Sequence, residues 1–376
     1  MKHNLFVDFH ILQDIPPANL NRDDSGSPKT AEYGGVTRLR VSSQAWKRAT
    51  RRAFTELDDI SPTTLGVRTR RVTQSLTDAL VRNGVDQDAA TPIAAKLLEQ
   101  IKIKPGKKED ESAYLFFYSV PQLDRISQEV ARRPDLWADP QTLAKEIDIV
   151  AILDVNHSLD VALFGRMVAD LADLNVDAAC QVAHAIGTHQ MTPQADYYTA
   201  VDDAQGEDET GAGMIGTIEF GSSTVYRYAS LSVPGLIDNM GDPEKAIEGI
   251  GQFARAFVLS LPSGKQNTFA AHTRPSLIHV TVRQDQPVNF VSAFERPVQP
   301  DREGYISSSV RTLDSFVQDE AALWGDRPLY AGTACTPALT ELAPYLCRDG
   351  AMALPELLDQ VRNVVAGALG ETTNDA

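Results

Sequence analysis

Cysteine is scarce in these 376 residues: Cys180, Cys335 and Cys347 are the whole supply. An odd count with no close pair along the chain excludes a disulfide framework and a zinc knuckle, and fits reduced thiols in a cytoplasmic protein. No apolar run approaches the length that spans a bilayer, so a membrane is not an expected partner. The first residues, Lys2-His3-Asn4-Leu5-Phe6-Val7-Asp8, are broken by charge and fit no signal peptide. Gly34-Gly35 lacks the spacing of a phosphate-binding loop or a dinucleotide fingerprint. No Gly-x-Ser-x-Gly, His-Glu-x-x-His or Cys/His nucleophile setting occurs. His184 and His189 are five apart, which suits neither one helical face nor a zinc site, and both read as structural. No cofactor and no metal are expected.

Positive charge is also in short supply, with 35 Lys+Arg against 51 Asp+Glu. It is unevenly spread. Residues 1–52 hold nine cations (Lys2, Arg22, Lys29, Arg38, Arg40, Lys47, Arg48, Arg51, Arg52) and five acids, while the other 324 residues carry a surplus of twenty acids. An acidic protein repels phosphate in general. A basic segment kept against that background points to a nucleic-acid backbone.

Residues 5–12 read as a buried strand ended by Pro16-Pro17, and 18–36 as a loop rich in Asn, Asp, Ser and Gly. Arg38–Val41 alternates as a short strand. Ser42 or Ser43 then caps a helix through about Leu57. Residues 60–180 read as a mainly helical insertion with breaks at Asn83-Gly84, Lys104-Pro105-Gly106 and Arg133-Pro134, and strand-like sequence resumes at 161–165 and 184–201. Two apolar arms around an acidic tip, 202–209, predict a hairpin or a long protruding loop over 196–220. A strand over 224–233, a helix over 243–260, a strand over 276–283 and a C-terminal helix over 353–369 follow. Without insertions the order is β-α-β-β-α-β, that of a ferredoxin-like sheet, so the expected class is α+β.

The helix beginning near Ser43 is the sharpest local signal. Gln44, Lys47, Arg48 and Arg51 fall within one arc, with Ala45, Trp46, Ala49, Ala53 and Leu57 opposite. The apolar side can dock on a sheet, which leaves a cationic stripe outside. Ser42 and Ser43 lie where helix N–H groups also favour phosphate. A solvated amphipathic helix explains the same pattern, and the two readings stay level. Arg22 and Lys29 extend the stripe, whereas Asp23-Asp24 reads best as an Asx-rich turn. Gly34-Gly35 reads as a turn.

Leu20-Asn21-Arg22-Asp23-Asp24, Tyr33-Gly34-Gly35 and the run Arg38 to Ala49 resemble the N-terminal signature of the CasC family. These are the repeated backbone subunits, of Cas-seven type, in the type I-E CRISPR Cascade complex. Further matches come in order: Gly165-Arg166-Met167, Ala183 to Gln190, Thr199 to Asp203, Gly216 to Phe220, Tyr226 to Ala229 and Gly264 to Ala271. They span roughly residues 4–330.

The resemblance implies a hand. A modified RNA-recognition-like palm (1–59, 181–195, 221–376) carries helical fingers (60–180) and a β-hairpin thumb (196–220). It implies a ribonucleoprotein of antiviral defence without catalysis of its own. Its partners would be a crRNA guide, target DNA paired through that guide, further copies of the chain along the guide, and other Cascade subunits. By match of position, Arg22, Lys29, Arg38, Ser42, Gln44, Lys47, Arg48 and Arg51 would contact guide phosphates or ribose. Met167 would lie near the bases, and Tyr197, Tyr198, Val201 and Met214 near a displaced base. One rival is a metal-dependent endoribonuclease that cuts bound target RNA with Asp23 or Asp24. Another is a structural oligomer whose basic helix docks an acidic neighbour.

Overall fold

The computed structural model describes residues 4–103, 106, 111–168, 171–200 and 214–374. Along the chain the strands are β1 (Phe6–Ala18), β2 (Thr30–Tyr33), β3 (Val36–Val41), β4 (Gly66–Thr69), β5 (Phe116–Ser119), β6 (Cys180–Val182), β7 (Ala185–Gly187), β8 (Gln194–Ala200), β9 (Met214–Ser232), β10 (Leu277–Arg283) and β11 (Tyr330–Cys335). The chain divides into two compact units. One is built from Phe54–Gln181 and Leu231–Ile250, the other from Asn4–Ala53, Val182–Ser230 and the residues from Gly251 onward.

The larger unit is a sheet in the order β11-β10-β1-β9-β7-β3-β2, with β8 added to β9. The pairs β1–β10, β10–β11, β2–β3, β3–β7, β7–β9 and β8–β9 are antiparallel. Side chains alternate between its faces, as a strand requires. On one face Phe9 meets Phe253 and Phe257 edge-on at centroid distances of 5.6 and 6.3 Å. Leu39, Val41, Trp46, Ala185 and Val225 share the core on that side. The other face carries Leu12, Tyr226, Tyr228 and Leu277 against Phe290, Phe294, Val310 and Leu313. It also buries an unusual set of polar groups: Asp8, His10, His279, Thr281 and Arg283.

Several expectations change on contact with the fold. The first strand does not stop at Pro16-Pro17 but runs to Ala18. Its pairing with β10 ends at Leu12, so both prolines lie beyond that ladder. The stretch 161–165 is not strand: Leu159–Phe164 is a helix closed by Gly165. A short run buried from Leu159 to Leu163 has no periodicity to separate the two states. Between the expected strand 276–283 and the expected C-terminal helix the fold adds the helix Tyr305–Trp324 and the edge strand β11.

Gly34 and Gly35 form the two-residue turn between β2 and β3, both at positive φ as such hairpins prefer. A Cβ at Gly34 would lie 1.7 Å from the Glu295 carbonyl oxygen, so a side chain is excluded there. All three cysteines are free, and two of them meet in space. Cys335 and Cys347 are distant along the chain, yet their Sγ atoms are 3.8 Å apart, because the segment after β11 folds back on it.

The smaller unit is mainly helical around one apolar cluster that includes Leu76, Leu80, Ile93, Leu97, Leu123, Ile126 and Leu143. Its helix starts carry the expected caps: Asp86 accepts from Asp88, Asp139 from Thr142 and Asp148 from Ala151. Asn83 ends the helix Val72–Arg82, and the helix Val120–Ala131 stops short of Pro134. Lys104 and Pro105 of the second expected break lie outside the described residues. The β4–β5 ribbon interrupts what reads as helix throughout, with all of Phe116–Ser119 buried.

Candidate nucleic-acid interface

The helix Ser43–Phe54 sets the interface. Trp46 and Thr50 are buried, while Gln44, Arg48 and Arg52 are exposed and Lys47 and Arg51 half-buried. The cationic stripe is thus on the outer side, as the pattern predicts. Thr50 takes the place expected for Ala49 and Ala53 in the core by donating to the Trp46 carbonyl (3.0 Å). Ser42 is the N-cap: its hydroxyl accepts from Ala45 N (3.3 Å), and its own N–H donates to Asn21 Oδ1 (2.9 Å). Ser42 is buried, so its hydroxyl serves the helix.

Arg227 fixes the helix on the sheet. Its guanidinium stacks on Trp46 at 3.8 Å and donates to Gln13 Oε1 (2.7 Å) and to the Phe257 carbonyl. It is a fully buried cation, and burial pushes its pKa down to about 9. Nothing in the local sequence marks it as a support, because its partners come from three distant segments.

Arg38 is corrected. It is fully buried, and its guanidinium donates to the carbonyls of Tyr33 (3.1 Å), Gly187 (2.9 Å), Phe294 (3.0 Å) and Glu295 (3.2 Å). It ties the β2–β3 hairpin to the 294–295 turn and is not available to a phosphate. Two residues on, Arg40 emerges at the surface. It donates to the Thr30 carbonyl (3.0 Å) and to His184 Nδ1 (3.1 Å). Arg40 N also donates to the Lys29 carbonyl (2.9 Å), which sets Lys29 beside it. Burial, Arg40 and Lys29 together hold the exposed His184 imidazole below its ordinary pKa.

His184 is thus exposed and held by Arg40 beside Lys29. His189 is structural. It is buried, stacks on Tyr305 at 3.5 Å, and accepts from Thr224 N (3.2 Å).

Arg22 lies exposed on the loop 20–26, which with Gly264 lines an open depression of about 540 Å³. Asp23 is occupied with its own turn. Its Oδ1 accepts from Ser25 N (3.0 Å), Ser25 Oγ (2.7 Å) and Ser27 N (3.0 Å), which keeps its carboxyl below the usual range. Asp24 is exposed beside it. Arg52 reaches Ser263 Oγ (3.4 Å), joining the helix to the rim that carries Gly264.

The β8–β9 hairpin pairs Gln194↔Phe220 through Ala200↔Met214. Tyr197 is 62% exposed and Tyr198 36%. Tyr198 lies over Gly216, where a Cβ would meet its ring at 2.4–2.7 Å, so only glycine admits this rotamer. Val201 and the acidic tip lie outside the described residues, and Met214 is placed by its backbone pairing alone. In the smaller unit Met167 is 84% exposed. Its neighbour Arg166 is buried, donates to the carbonyls of Leu174 (2.7 Å) and Leu153 (2.9 Å), and rests over the Phe116 ring. That anchor presents the bare methionine outward.

The fold and this basic edge define a mixed α/β protein built around an antiparallel sheet, with an outward cationic helix. A family model described as CT1975-like protein matches residues 7–359. The chain belongs to that family, which is of the Cas-seven kind. Two solved structures are similar. One, a chain of "CRISPR RNA-guided surveillance complex, pre-nicking", is 34% identical with a TM-score of 0.81, covering 96% of this chain and 100% of that one. The other, from a "CRISPR RNA-guided surveillance complex", is 30% identical with a TM-score of 0.71, covering 95% and 99%. No curated protein matches.

Proposed function

We propose that this chain is a crRNA-binding backbone subunit of a type I-E Cascade complex. Copies line up along the spacer of the guide, hold it by its backbone, and present it for pairing with target DNA in antiviral defence. The observation that carries this reading is the outward stripe Gln44, Lys47, Arg48 and Arg51 on an otherwise acidic protein, in a chain similar to subunits of CRISPR RNA-guided complexes. Phosphate contacts grip without reading bases, which suits guides whose spacers differ.

In this reading the larger unit is the palm. The succession β1, helix Ser43–Phe54, β7, β9, helix Pro243–Leu259, β10 supports a ferredoxin-like, RNA-recognition-type core. The stretch 60–180 of the smaller unit provides the fingers, the helix Pro243–Leu259 that begins in that unit counts with the palm, and the β8–β9 hairpin is the thumb. Exposed Met167 and Tyr197 offer apolar and aromatic faces on which bases stack. The subunit works without catalysis; the hydrogen bonds that occupy Asp23 in its own turn support that part against the endoribonuclease alternative.

The test is RNA binding as a function of salt. Purified protein should carry RNA, seen as a raised absorbance ratio. Lys47→Ala and Arg48→Ala should each lower the slope of log affinity against log salt by about 0.7 per lost phosphate contact on single-stranded RNA. Unchanged slopes in both variants reject the assignment. RNA cleavage by wild type with divalent metal, lost in Asp24→Ala, rejects the non-catalytic part.

A further inference from the structure

The segment after β11 leaves the sheet at Thr336 and returns at Ala351, which bridges to Thr333. Its neck is held by three sets of hydrogen bonds. Thr333 Oγ1 donates to the Leu346 carbonyl (2.6 Å), and Met352 N donates to the Thr333 carbonyl (3.0 Å). Asp314 Oδ1, from the helix Tyr305–Trp324, accepts from Tyr345 N (3.0 Å) and Leu346 N (2.8 Å). Two thiols face each other across that neck. Cys335 Sγ is 3.8 Å from Cys347 Sγ and 3.6 Å from Thr340 Oγ1. Both are free cysteines, Cys335 partly accessible and Cys347 buried.

We propose that Cys335 and Cys347 are an oxidisable pair, a reversible modification site that closes a disulfide across the neck of this loop when a small-molecule disulfide is the oxidant. The thiols already touch at 3.8 Å, and a disulfide asks them to close to about 2 Å. The accessible partner reacts first. Cys335 loses its proton to solvent and its thiolate attacks the small disulfide; that S–S bond breaks and one small thiolate leaves. Cys347 then gives up its proton and attacks Cys335 Sγ, and the second small thiol departs. In sum two protein thiols are oxidised and one small disulfide is reduced to two thiols. Burial and the neighbouring Cys335 push the Cys347 thiol up to about 12, so it stays protonated and is the less reactive of the two toward a disulfide in solvent. Disulfides of this kind in reducing compartments are transient and redox-sensing.

The experiment treats the full chain with oxidised glutathione and counts thiols after denaturation. Wild type should fall from three thiols to one, non-reduced peptide mapping should find Cys335 joined to Cys347, and dithiothreitol should restore three. Cys180→Ser should fall from two to none. Cys347→Ser should stop as a single glutathionyl adduct on Cys335. The oxidised wild type should melt higher than the reduced form, and Cys335→Ser should lose that shift. Three unreacted thiols, adducts with no internal link, or a link through Cys180 would each overturn the proposal. Should Cys347→Ser fail to fold, the wild-type map and Cys180→Ser still decide it.

Discussion

The buried polar centre of the larger unit and its exposed basic edge use the same residue types to opposite ends. In the centre Arg38 and Arg227 spend their donors on carbonyl and amide oxygens. Asp8 likewise accepts from Tyr228 Oη (3.2 Å) and Val288 N (2.9 Å). At the edge Arg22 and Arg48 are exposed. The difference teaches that a charge surplus read along the chain overstates what a phosphate can meet. One of the nine N-terminal cations, Arg38, holds loops together instead. A buried cation with several acceptors is costly to remove because each acceptor is left dry, whereas a surface cation is nearly neutral for stability.

The largest effect that sharpens this contrast is on folding. Arg38→Met should destabilise by about 3 kcal/mol or more, measured by denaturant unfolding, since the carbonyls of Tyr33, Gly187, Phe294 and Glu295 share one guanidinium. Arg48→Ala should stay within about 0.5 kcal/mol of wild type. The contrast breaks if the two cost the same, or if a folded Arg38 variant loses as much salt dependence of RNA binding as Arg48→Ala.

Asp8 comes next. Burial raises its carboxyl from 3.8 to about 6, against the opposing pull of hydrogen bonds from Ser230, Val288 and Tyr228 and the charge of Arg283. The folded chain therefore binds this proton more tightly than the unfolded one. Its favourable contribution is complete below pH 3.8 and fades as pH rises through about 6. Above that the buried carboxylate costs about 3 kcal/mol, from 1.36 kcal/mol for each pKa unit. Asp8→Asn keeps an acceptor for Val288 N, and its stability relative to wild type should increase with pH across that window and then level off. A constant difference would show that the group is not strained.

What could be read in the sequence follows from how local each signal is. The helix Ser43–Phe54, its cap and its cationic side depend on residues within a few turns of one another; the helix stops three residues short of the expected Leu57, Ser42 is the cap of the two serines offered, and the cations face outward as the spacing puts them. The β8–β9 hairpin likewise needs only its own two arms. Arg38 could not be read that way. Its strand alternates correctly with Leu39 and Val41, but what covers its face is the turn at Phe294-Glu295, far along the chain. Arg227, His184 and the Cys335–Cys347 contact were hidden for the same reason: each partner arrives from a distant strand or loop. The ribbon β4–β5 was lost inside helical surroundings because four-residue strands carry too little pattern to compete.

The smallest effect tests whether the edge extends past the helix to Lys29, Arg40 and His184. Arg40 donates to His184 Nδ1, so the imidazole is neutral while that bond stands. Burial and the two cations hold its pKa below the ordinary 6.5. Protonation breaks the bond and makes a third positive group there, which a phosphate between Arg40 and His184 would stabilise. RNA binding should then take up a proton, and affinity should rise as pH falls from about 7 toward about 5. The gain should be no more than about fivefold, the worth of one exposed ion pair. His184→Ala should flatten the profile, and Asp8→Asn should leave it unchanged although Asp8 titrates in the same range. A profile that survives in His184→Ala would confine the phosphate track to the helix Ser43–Phe54 and leave Arg40 a structural residue of β3.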